Sequence, residues 1–374
     1  MGCCIVSAAG APGLRLLSVV TQLETGGAQT VAIELHREFL RRGTTSELVF
    51  LYEKDSAAFP KRDYRTLLDR SMRSPLDLAK ITARLRSVWA KFQPTSVIAH
   101  THFTNNMCGF VAKAAPGSAR IIAVHHNMFE SYPRSSKLLD RIAASFGLYD
   151  HEVSVSQPVL RSLPPGSAER RSVILNGQSL SHSALDRASA RKAFGLPADA
   201  FLIGNIGRMA EQKNQAFLVD LLARVPDAHV SILGDGHLRP SLVLQAEALG
   251  VRDRLHLIGT VVHERVPDFL RALDLFAMPS LHEGMSIAML EALSAGIPFL
   301  GSDVPTIMEV VNGGDGGAGI ALPLEADHWV AAIARLRDPV AHAALAARQR
   351  ARAENFSIET MADQYLAVAA GLRG

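Results

Sequence analysis

The sequence is poor in cysteine and contains no long apolar run. Its three cysteines, Cys3, Cys4 and Cys108, match neither a metal-ligand spacing nor a paired disulfide framework, which favours a reducing compartment. No stretch approaches the roughly 18 apolar residues of a membrane span. The N-terminus MGCCIVSAAGAPG lacks the basic lead of a secretion signal, and Val6 stands where a myristoylation site needs Ser or Thr. We therefore expect a soluble cytoplasmic protein.

At 374 residues the chain is long enough for two domains of roughly 150–200 residues each. Its apolar content of 48% supports sizeable cores and argues against a disordered chain. The net charge of +3 is unevenly distributed: residues 1–180 carry 22 Lys and Arg against 14 Asp and Glu, and residues 181–374 carry 17 against 22. The resulting +8 and −5 indicate a domain boundary near residue 180 and an anionic partner for the first half.

Short apolar runs of strand type alternate with longer helical stretches. The runs are RLLSVV (15–20), ELVFLY (47–52), SVIAH (96–100), RIIAV (120–124), EVSVS (152–156), FLIGNIG (201–207), HVSILG (229–234), RLHLIG (254–259), LFAMPS (275–280) and PFLGS (298–302). Strands that are almost wholly apolar must be covered on both faces, so the pattern predicts an α/β protein with two doubly wound parallel sheets. The expected connection between them is VILNGQS (173–179), with a turn signal at Asn176-Gly177.

Ligands of doubly wound sheets bind beyond the carboxyl ends of the strands, and unusual residues stand there. Gly26-Gly27 precedes the first helix, where free N–H groups favour an anion, although a tight turn without a ligand has the same pattern. Arg208 and Lys213 follow the strand FLIGNIG. They suit a diphosphate, whereas two solvated surface cations are the simpler interpretation.

Two glutamates occupy the segment LHEGMSIAMLEAL (281–293). Glu283 falls in the loop after LFAMPS, and Glu291 lies four residues after Ile287 in a predicted helix. Glu291 therefore shares a face with the free N–H groups of the first helical turn. An anion on those N–H groups would lie above Glu291, which could reach hydroxyls of the same ligand. The alternative is a salt-bridging carboxylate, but the helix offers no obvious cation four residues away.

The extended segment LHEGMSIAMLEALSAGIPFLGSDVPTIMEVV resembles the E-x7-E signature of retaining glycosyltransferases of family 4, which have the GT-B fold. LETGGAQ, VILNGQ, GRMAEQKN, LGDGHLRPSL and HLIGTVVHERVPDFLRALDLFAMPS match the same family in the same order. The resemblance implies two Rossmann-like domains facing across a cleft. Residues 1–177 would bind the acceptor and residues 178–356 the nucleotide-sugar donor, while the C-terminal helix 357–374 packs back on the first domain.

The same resemblance implies roles for individual residues. Glu283 would contact the donor sugar, and Glu291 the ribose hydroxyls. The diphosphate would be bound by side-chain cations and backbone amides, namely those of Arg208, Lys213, Ser286, Ile287 and, from the other domain, Gly27. Ser286 departs from the Gly or Pro often found in the family, but its amide can still serve.

Four histidines also stand at predicted strand ends: His100, His102, His125 and His126. A zinc site is one interpretation, but no convincing carboxylate or cysteine completes it. The resemblance implies instead that a histidine after this strand faces the donor sugar. We choose His125, with His126 as the alternative, because alternation turns only one of them into the cleft. His100 and His102 are interpreted as structural.

Together these features predict a hexosyltransferase that uses a nucleoside diphosphate sugar, with UDP- and GDP-sugars as the favoured donors. The acceptor would be a glycan or a lipid-linked glycan of cell-surface polysaccharide synthesis. Because the sequence has no Asp-x-Asp motif, we expect protein cations, rather than a metal or another cofactor, to stabilise the leaving diphosphate. Retention of anomeric configuration is implied by the resemblance. No nucleic-acid partner is expected.

Two alternatives remain open, a nucleotide-sugar epimerase and a non-catalytic partner subunit of a glycosylation complex. A dehydrogenase is disfavoured because the turn after the first strand lacks G-x-G-x-x-G. Hydrolysis of a nucleotide sugar with and without acceptor separates these possibilities.

The segment PLDLAKITARLRSVWAKF (75–92) predicts an amphipathic helix. Its apolar stripe is Leu78, Ile81, Leu85, Val88, Trp89 and Phe92, and basic residues beside the stripe or nearby in sequence are Lys80, Arg84, Lys91, Arg62, Arg65, Arg70 and Arg73. A crossover helix packed on the sheet explains the apolar stripe better than a membrane contact does. The basic face would nevertheless attract anionic lipid. We therefore predict peripheral, salt-sensitive binding of the first domain to an anionic membrane surface at its inner face.

Overall fold

The computed structural model describes residues 13–54, 59, 63–115, 117–166, 168–179, 182–312 and 317–372. Cys3, Cys4 and Val6 of the N-terminal segment, and Arg62, lie outside these residues. The chain divides into two compact units. One consists of the residues up to Gln178, apart from 57–59, together with those from Ser357 onward, and the other is built mainly from Ser179–Phe356.

Within its described residues, the first unit is an α/β unit with seven strands. They are β1 (Arg15–Leu23), β2 (Thr45–Glu53), β3 (Arg65–Thr66), β4 (Ser96–Ala99), β5 (Arg120–His125), β6 (His151–Ser154) and β7 (Arg171–Val173). They form one parallel sheet in the order β3-β2-β1-β4-β5-β6-β7. Its helices are α1 (Gly27–Arg41), α2 (Pro75–Phe92), α3 (His102–Ala114), α4 (Arg134–Ser145), α5 (Gln157–Ser162) and the last of the chain, α14 (Ile358–Ala369).

The second unit repeats this architecture, with six strands in the part of it that the structure describes. They are β8 (Phe201–Ile206), β9 (Ala228–Leu233), β10 (Leu255–Gly259), β11 (Leu275–Met278), β12 (Phe299–Ser302) and β13 (Ile320–Leu322). The parallel order is β10-β9-β8-β11-β12-β13. Its helices are α6 (Arg187–Ala193), α7 (Gln215–Arg224), α8 (Arg239–Ala248), α9 (Val266–Arg271), α10 (Ile287–Ala295), α11 (Pro305–Asn312), α12 (Ala326–Leu336) and α13 (Pro339–Ala353).

The predicted fold class is confirmed, and the physical reason is visible in the central strands. Leu16, Leu17, Val19 and Val20 of β1 have no exposed surface, although successive side chains point to opposite faces. Both faces of the sheet are therefore covered, as near-continuous apolar strands require. All ten predicted strands are present, whereas β3, β7 and β13 were missed. Each of these has only two or three residues and lies at an edge of its sheet, so it is too short to give a strand-length apolar run.

Helix α2 is the crossover helix that its apolar stripe predicts. Ser74 caps its first turn by accepting from the Asp77 backbone N–H. Ile81, Leu85 and Trp89 are buried in the core beneath the sheet. Within the described residues, no helix combines the length and apolar character needed to cross a bilayer.

The predicted turn at Asn176-Gly177 is wrong. The φ of Gly177 is not positive, so the glycine is not needed there for a left-handed turn. It is needed for space, because a Cβ atom at this position would stand 2.2 Å from the carbonyl oxygen of Ser357. Gln178 and Ser357 pair as a parallel bridge at this point. From there α14 runs onto the first unit, where the carbonyl oxygen of Ala369 accepts a 2.8 Å hydrogen bond from the Ser96 hydroxyl.

Candidate functional site

The loop after β8 holds Arg208 and Lys213 at the carboxyl end of the second sheet. The side chain of Gln215, which is buried, donates to the Arg208 carbonyl oxygen at 3.1 Å. Asn214 takes the left-handed conformation, with φ of 49°, between the short 3-10 turn that ends at Lys213 and the start of α7. A Cβ atom on Gly207 would lie 3.1 Å from Lys213 Cε, so glycine leaves room for the lysine stem. The Arg208 side chain is exposed, and that of Lys213 is mostly buried.

Lys213 and Glu283, which are 70 residues apart, form an ion pair. Lys213 Nζ lies 2.6 Å from Glu283 Oε1, and the two side chains are 17% and 6% exposed. The hydroxyl of Ser280, just after β11, donates to the same carboxylate oxygen at 2.6 Å. Thr306 donates to the Glu283 carbonyl oxygen at 3.2 Å. A charge that is removed from water needs such partners. The ion pair and the hydrogen bonds therefore fix the position of the Glu283 carboxylate.

Helix α10 begins directly after this carboxylate. Ser286 is its N-cap residue, and the Ser286 side chain makes no capping hydrogen bond. The backbone N–H groups of the first turn, including that of Ile287, have no partner within the helix itself. Together with the helix dipole, they favour an anion at this end. The structure thus places Ser286 and Ile287, whose amides the resemblance implies as diphosphate contacts, at the start of α10.

Glu291 lies one turn further along α10 and is partly buried. His263 Nε2 stands 3.7 Å from Glu291 Oε1. His263 begins a short 3-10 turn after β10, far from α10 in the sequence, so the search for a cation four residues away on the same helix missed it. Its position just beyond a strand end was the available signal, since that is where such sheets bind ligands.

In the first unit, Gly27 begins α1 after the Gly26 N-cap. Gly27 is exposed, and a Cβ atom there would meet nothing within 4 Å. The helix start is therefore open to solvent at this residue. A Cβ on Gly26 would lie 2.5 Å from Gln29 Oε1, so a larger residue there would displace the end of the Gln29 side chain.

The four histidines of the first unit have different surroundings. His125 is buried, and its Nε2 lies 3.4 Å from Glu152 Oε1, while Arg171 Nε donates to the other oxygen of Glu152 at 2.8 Å. His126 is partly exposed, and its ring stacks on that of His100 with centroids 5.7 Å apart.

Loss of water lowers the pKa of His100, His102 and His126, so these rings are neutral at physiological pH. His100 has no exposed surface. Among the described residues, no group of three or more His, Cys, Asp or Glu side chains is arranged to hold a metal ion.

Burial raises the pKa of Glu152, but the nearby His125 ring and the hydrogen bond from Arg171 outweigh it and leave this pKa below its ordinary value. The structure therefore gives His125 a charged partner inside the protein and gives His126 the more accessible position. The choice between these two histidines stays a prediction.

Comparison with known proteins agrees with this architecture. The family described as Glycosyltransferase Family 4 matches residues 25–182, and that described as Glycosyl transferases group 1 matches residues 186–354. The putative glycosyltransferase EpsF of Bacillus subtilis is 26% identical, over 93% of this chain and 91% of its own. The UDP-Gal:alpha-D-GlcNAc-diphosphoundecaprenol alpha-1,3-galactosyltransferase of Escherichia coli is 29% identical, over 55% of this chain and 58% of its own.

Among solved structures, that of Anabaena HepE in complex with UDP and glucose aligns with a TM-score of 0.82 and 20% identity, covering 96% of this chain and all of HepE. At that identity the likeness shows the fold. The two family matches between them span both units, and the relatives are glycosyltransferases by name. The protein is a glycosyltransferase of the GT-B type and belongs to glycosyltransferase family 4.

Proposed function

We propose that the protein transfers a hexose from a nucleoside diphosphate sugar to a glycan or lipid-linked acceptor in cell-surface polysaccharide synthesis, with retention of anomeric configuration and without a metal. The observation that carries the proposal is the Lys213–Glu283 ion pair next to the start of α10. It places a cation, a carboxylate and free helix-start amides together at the carboxyl edge of one sheet.

This arrangement suits cleavage of a glycosyl diphosphate. Negative charge grows on the leaving diphosphate while the sugar becomes cationic. Lys213 has three N–H donors, so it can bind the diphosphate while one donor stays on Glu283. Arg208 and the amides of Ser286 and Ile287 would stabilise the same charge, as donors aimed at a developing anion do.

The two carboxylates would serve different parts of the donor. Glu283, held by Lys213 and Ser280, would accept hydrogen bonds from the sugar hydroxyls. Glu291 lies one turn into α10 and would bind the ribose hydroxyls, with His263 at its side. In the first unit we propose Gly27 as a backbone contact for the donor. We keep His125 as the residue facing the sugar, with His126 as the alternative that solvent reaches more easily.

The donor and acceptor classes are drawn from the relatives. UDP is the nucleotide bound by HepE, and the E. coli relative is named for a UDP-sugar donor and a lipid diphosphate acceptor. We therefore place UDP-sugars ahead of GDP-sugars, and a lipid-linked acceptor at the inner face of the membrane ahead of a free glycan.

The test is a donor panel. Thermal unfolding with UDP-, GDP- and ADP-sugars should show stabilisation by one nucleotide class, of about 2.7 kcal/mol at 100 times its Kd. Incubation of that donor with undecaprenyl-diphosphate acceptors should then release the nucleoside diphosphate, and NMR of the product should show the anomeric configuration of the donor. Donor binding without transfer to any acceptor would favour the non-catalytic partner, and an altered free nucleotide sugar would favour the epimerase.

A further inference from the structure

Helix α4 presents its apolar side chains to solvent. The four residues concerned are exposed by fractions that run from 36% for Ile142 to 73% for Phe146, with Leu138 and Leu139 between them. Their spacing places all four on one face of the helix and its immediate continuation. Four large apolar side chains side by side on the surface differ from the scattered exposed leucines of an ordinary protein.

The side of α4 that faces its own domain carries polar and small residues, whereas a typical surface helix packs its large apolar side chains there. Asp140 is buried there and accepts a hydrogen bond from Asn106 on α3. Ala143, one turn further, has no exposed surface. A helix that packs only on its own domain turns its apolar stripe inward, as α2 does with Ile81 and Leu85. The outward stripe of α4 therefore belongs to a partner outside this unit.

A line of basic residues borders the apolar face. Arg134, Lys137 and Arg141 recur at helical spacing along one side of α4. Arg134 and Arg141 are exposed, and Lys137 Nζ donates to the Glu130 carbonyl oxygen at 2.7 Å. A helix with an apolar face flanked by cations is suited to lie in the headgroup region of an anionic bilayer. A second copy of this chain is a poorer fit, because its matching face carries the same positive charge.

We propose that α4 with Phe146 is the surface by which the protein sits on an anionic bilayer. The apolar face enters the boundary between headgroups and acyl chains, and Arg134, Lys137 and Arg141 lie at the level of the lipid phosphates. The inference rests on the proposed lipid-linked acceptor, for which it supplies the docking surface. It also moves the membrane contact from α2, where Ile81, Leu85 and Trp89 are buried in the core and Leu76 and Leu78 at the first turns stay exposed, to α4.

Sedimentation with phosphatidylcholine vesicles, with and without phosphatidylglycerol, tests the surface at low and high salt. Binding should require phosphatidylglycerol and weaken with salt. The triple variant Leu139→Gln/Ile142→Gln/Phe146→Gln should bind at least about tenfold more weakly, since it removes the apolar contribution. Arg134→Gln and Arg141→Gln should each weaken binding about fivefold, the effect of one charge at an anionic surface.

Two controls separate α4 from the rest of the protein. Leu244→Gln on α8 removes an equally exposed leucine of the second unit, and it should bind like the wild type. Lys80→Gln/Lys91→Gln on α2 tests the other basic helix of the first unit and should have the smaller effect. Circular dichroism should be unchanged in every variant, because the replaced side chains are exposed.

Three results would overturn the inference. They are full binding by the triple variant, loss of binding in the α2 variant alone, and a wild-type dimer in solution that the triple variant dissociates. Hydrolysis of a soluble nucleotide sugar is measured in parallel on the full chain. Its absence in the wild type counts against the proposed function, whereas loss of vesicle binding with intact hydrolysis bears on α4 only.

Discussion

Replacing Lys213 by methionine removes the charge and keeps most of the stem, and it should affect stability and catalysis by different routes. Glu283 would remain only 6% exposed, with Ser280 as a neutral partner. Breaking a fully buried ion pair costs roughly 3–5 kcal/mol. Because the Lys213 side chain is 17% exposed and Ser280 stays in place, we expect about 2 kcal/mol here, in the range for a buried polar group that loses a partner.

The catalytic effect should be of similar size. Loss of one donor that stabilises developing charge typically lowers the rate about 100-fold, or ~2.7 kcal/mol of transition-state stabilisation. Urea unfolding gives the first number, and kcat/KM for the nucleotide sugar gives the second. Arg208→Met should lower kcat/KM by a similar factor. Lys192→Met, on the exposed side of α6, is the matched control and should change neither.

The double variant Lys213→Met/Glu283→Gln separates the two routes. An amide needs no counter-charge, so stability should return to within about 1 kcal/mol of the wild type while activity stays low. Wild-type kcat/KM in Lys213→Met would remove the lysine from the mechanism. Recovery of activity together with stability in the double variant would show that neither the Lys213 charge nor the Glu283 carboxylate is needed for catalysis, and both proposed donor contacts would be wrong.

Further predictions concern metal, pH and the histidines. Transferase activity should survive EDTA, and activity lost to the chelator and restored by Mg²⁺ or Mn²⁺ would contradict the metal-free mechanism. Burial lowers the pKa of His100 below the ordinary value, so the unfolded chain binds more protons as the pH falls below about 6.5. The stability that depends on neutral His100 is thus complete above that pH and is lost below it. Urea midpoints should therefore drop between about pH 7.5 and about pH 5.5, with a smaller drop in His100→Phe, and an equal drop would refute the assignment. His125→Ala should lower kcat at least about tenfold with unchanged donor binding by calorimetry; the same loss in His126→Ala alone would reverse our choice. His263→Ala should raise the KM for the donor several-fold, provided that Glu291 binds the ribose, and an unchanged KM would mean that their contact is structural.

The architecture was largely predictable because it depends on local patterns. Apolar runs such as that of β1 need cover on both faces, and this requirement alone leads to parallel sheets flanked by helices. The edge strands β3, β7 and β13 were not predicted, because a strand of two or three residues with one neighbour does not need a long apolar run to cover both faces.

The candidate site was only partly predictable. Glu283 and Lys213 could each be placed at a strand end, but their ion pair depends on two strands, β8 and β11, becoming neighbours in the sheet. The contact of His263 with Glu291 also depends on the tertiary structure, since His263 follows β10 and Glu291 lies in α10, and β10 and β11 are not neighbours in the sheet. The glycine at 177 was assigned to a turn, whereas its actual cause is the backbone of Ser357, which lies 180 residues further along the chain.

By itself, then, the sequence determined the alternation of strands and helices, the break into two units and the positions of the carboxylates and cations along the chain, because periodicity and helix-start chemistry act within a few residues. The tertiary structure alone decided which of those groups meet and which apolar faces find cover. Helices α2 and α4 show this difference. Both are amphipathic by sequence, but the sheet core lies under the apolar stripe of α2, while Asn106 and the polar side of α4 pair with each other and leave its stripe in water. Periodicity shows that a helix has an apolar face, and only the packing of its neighbours determines whether that face is turned to the core or to solvent.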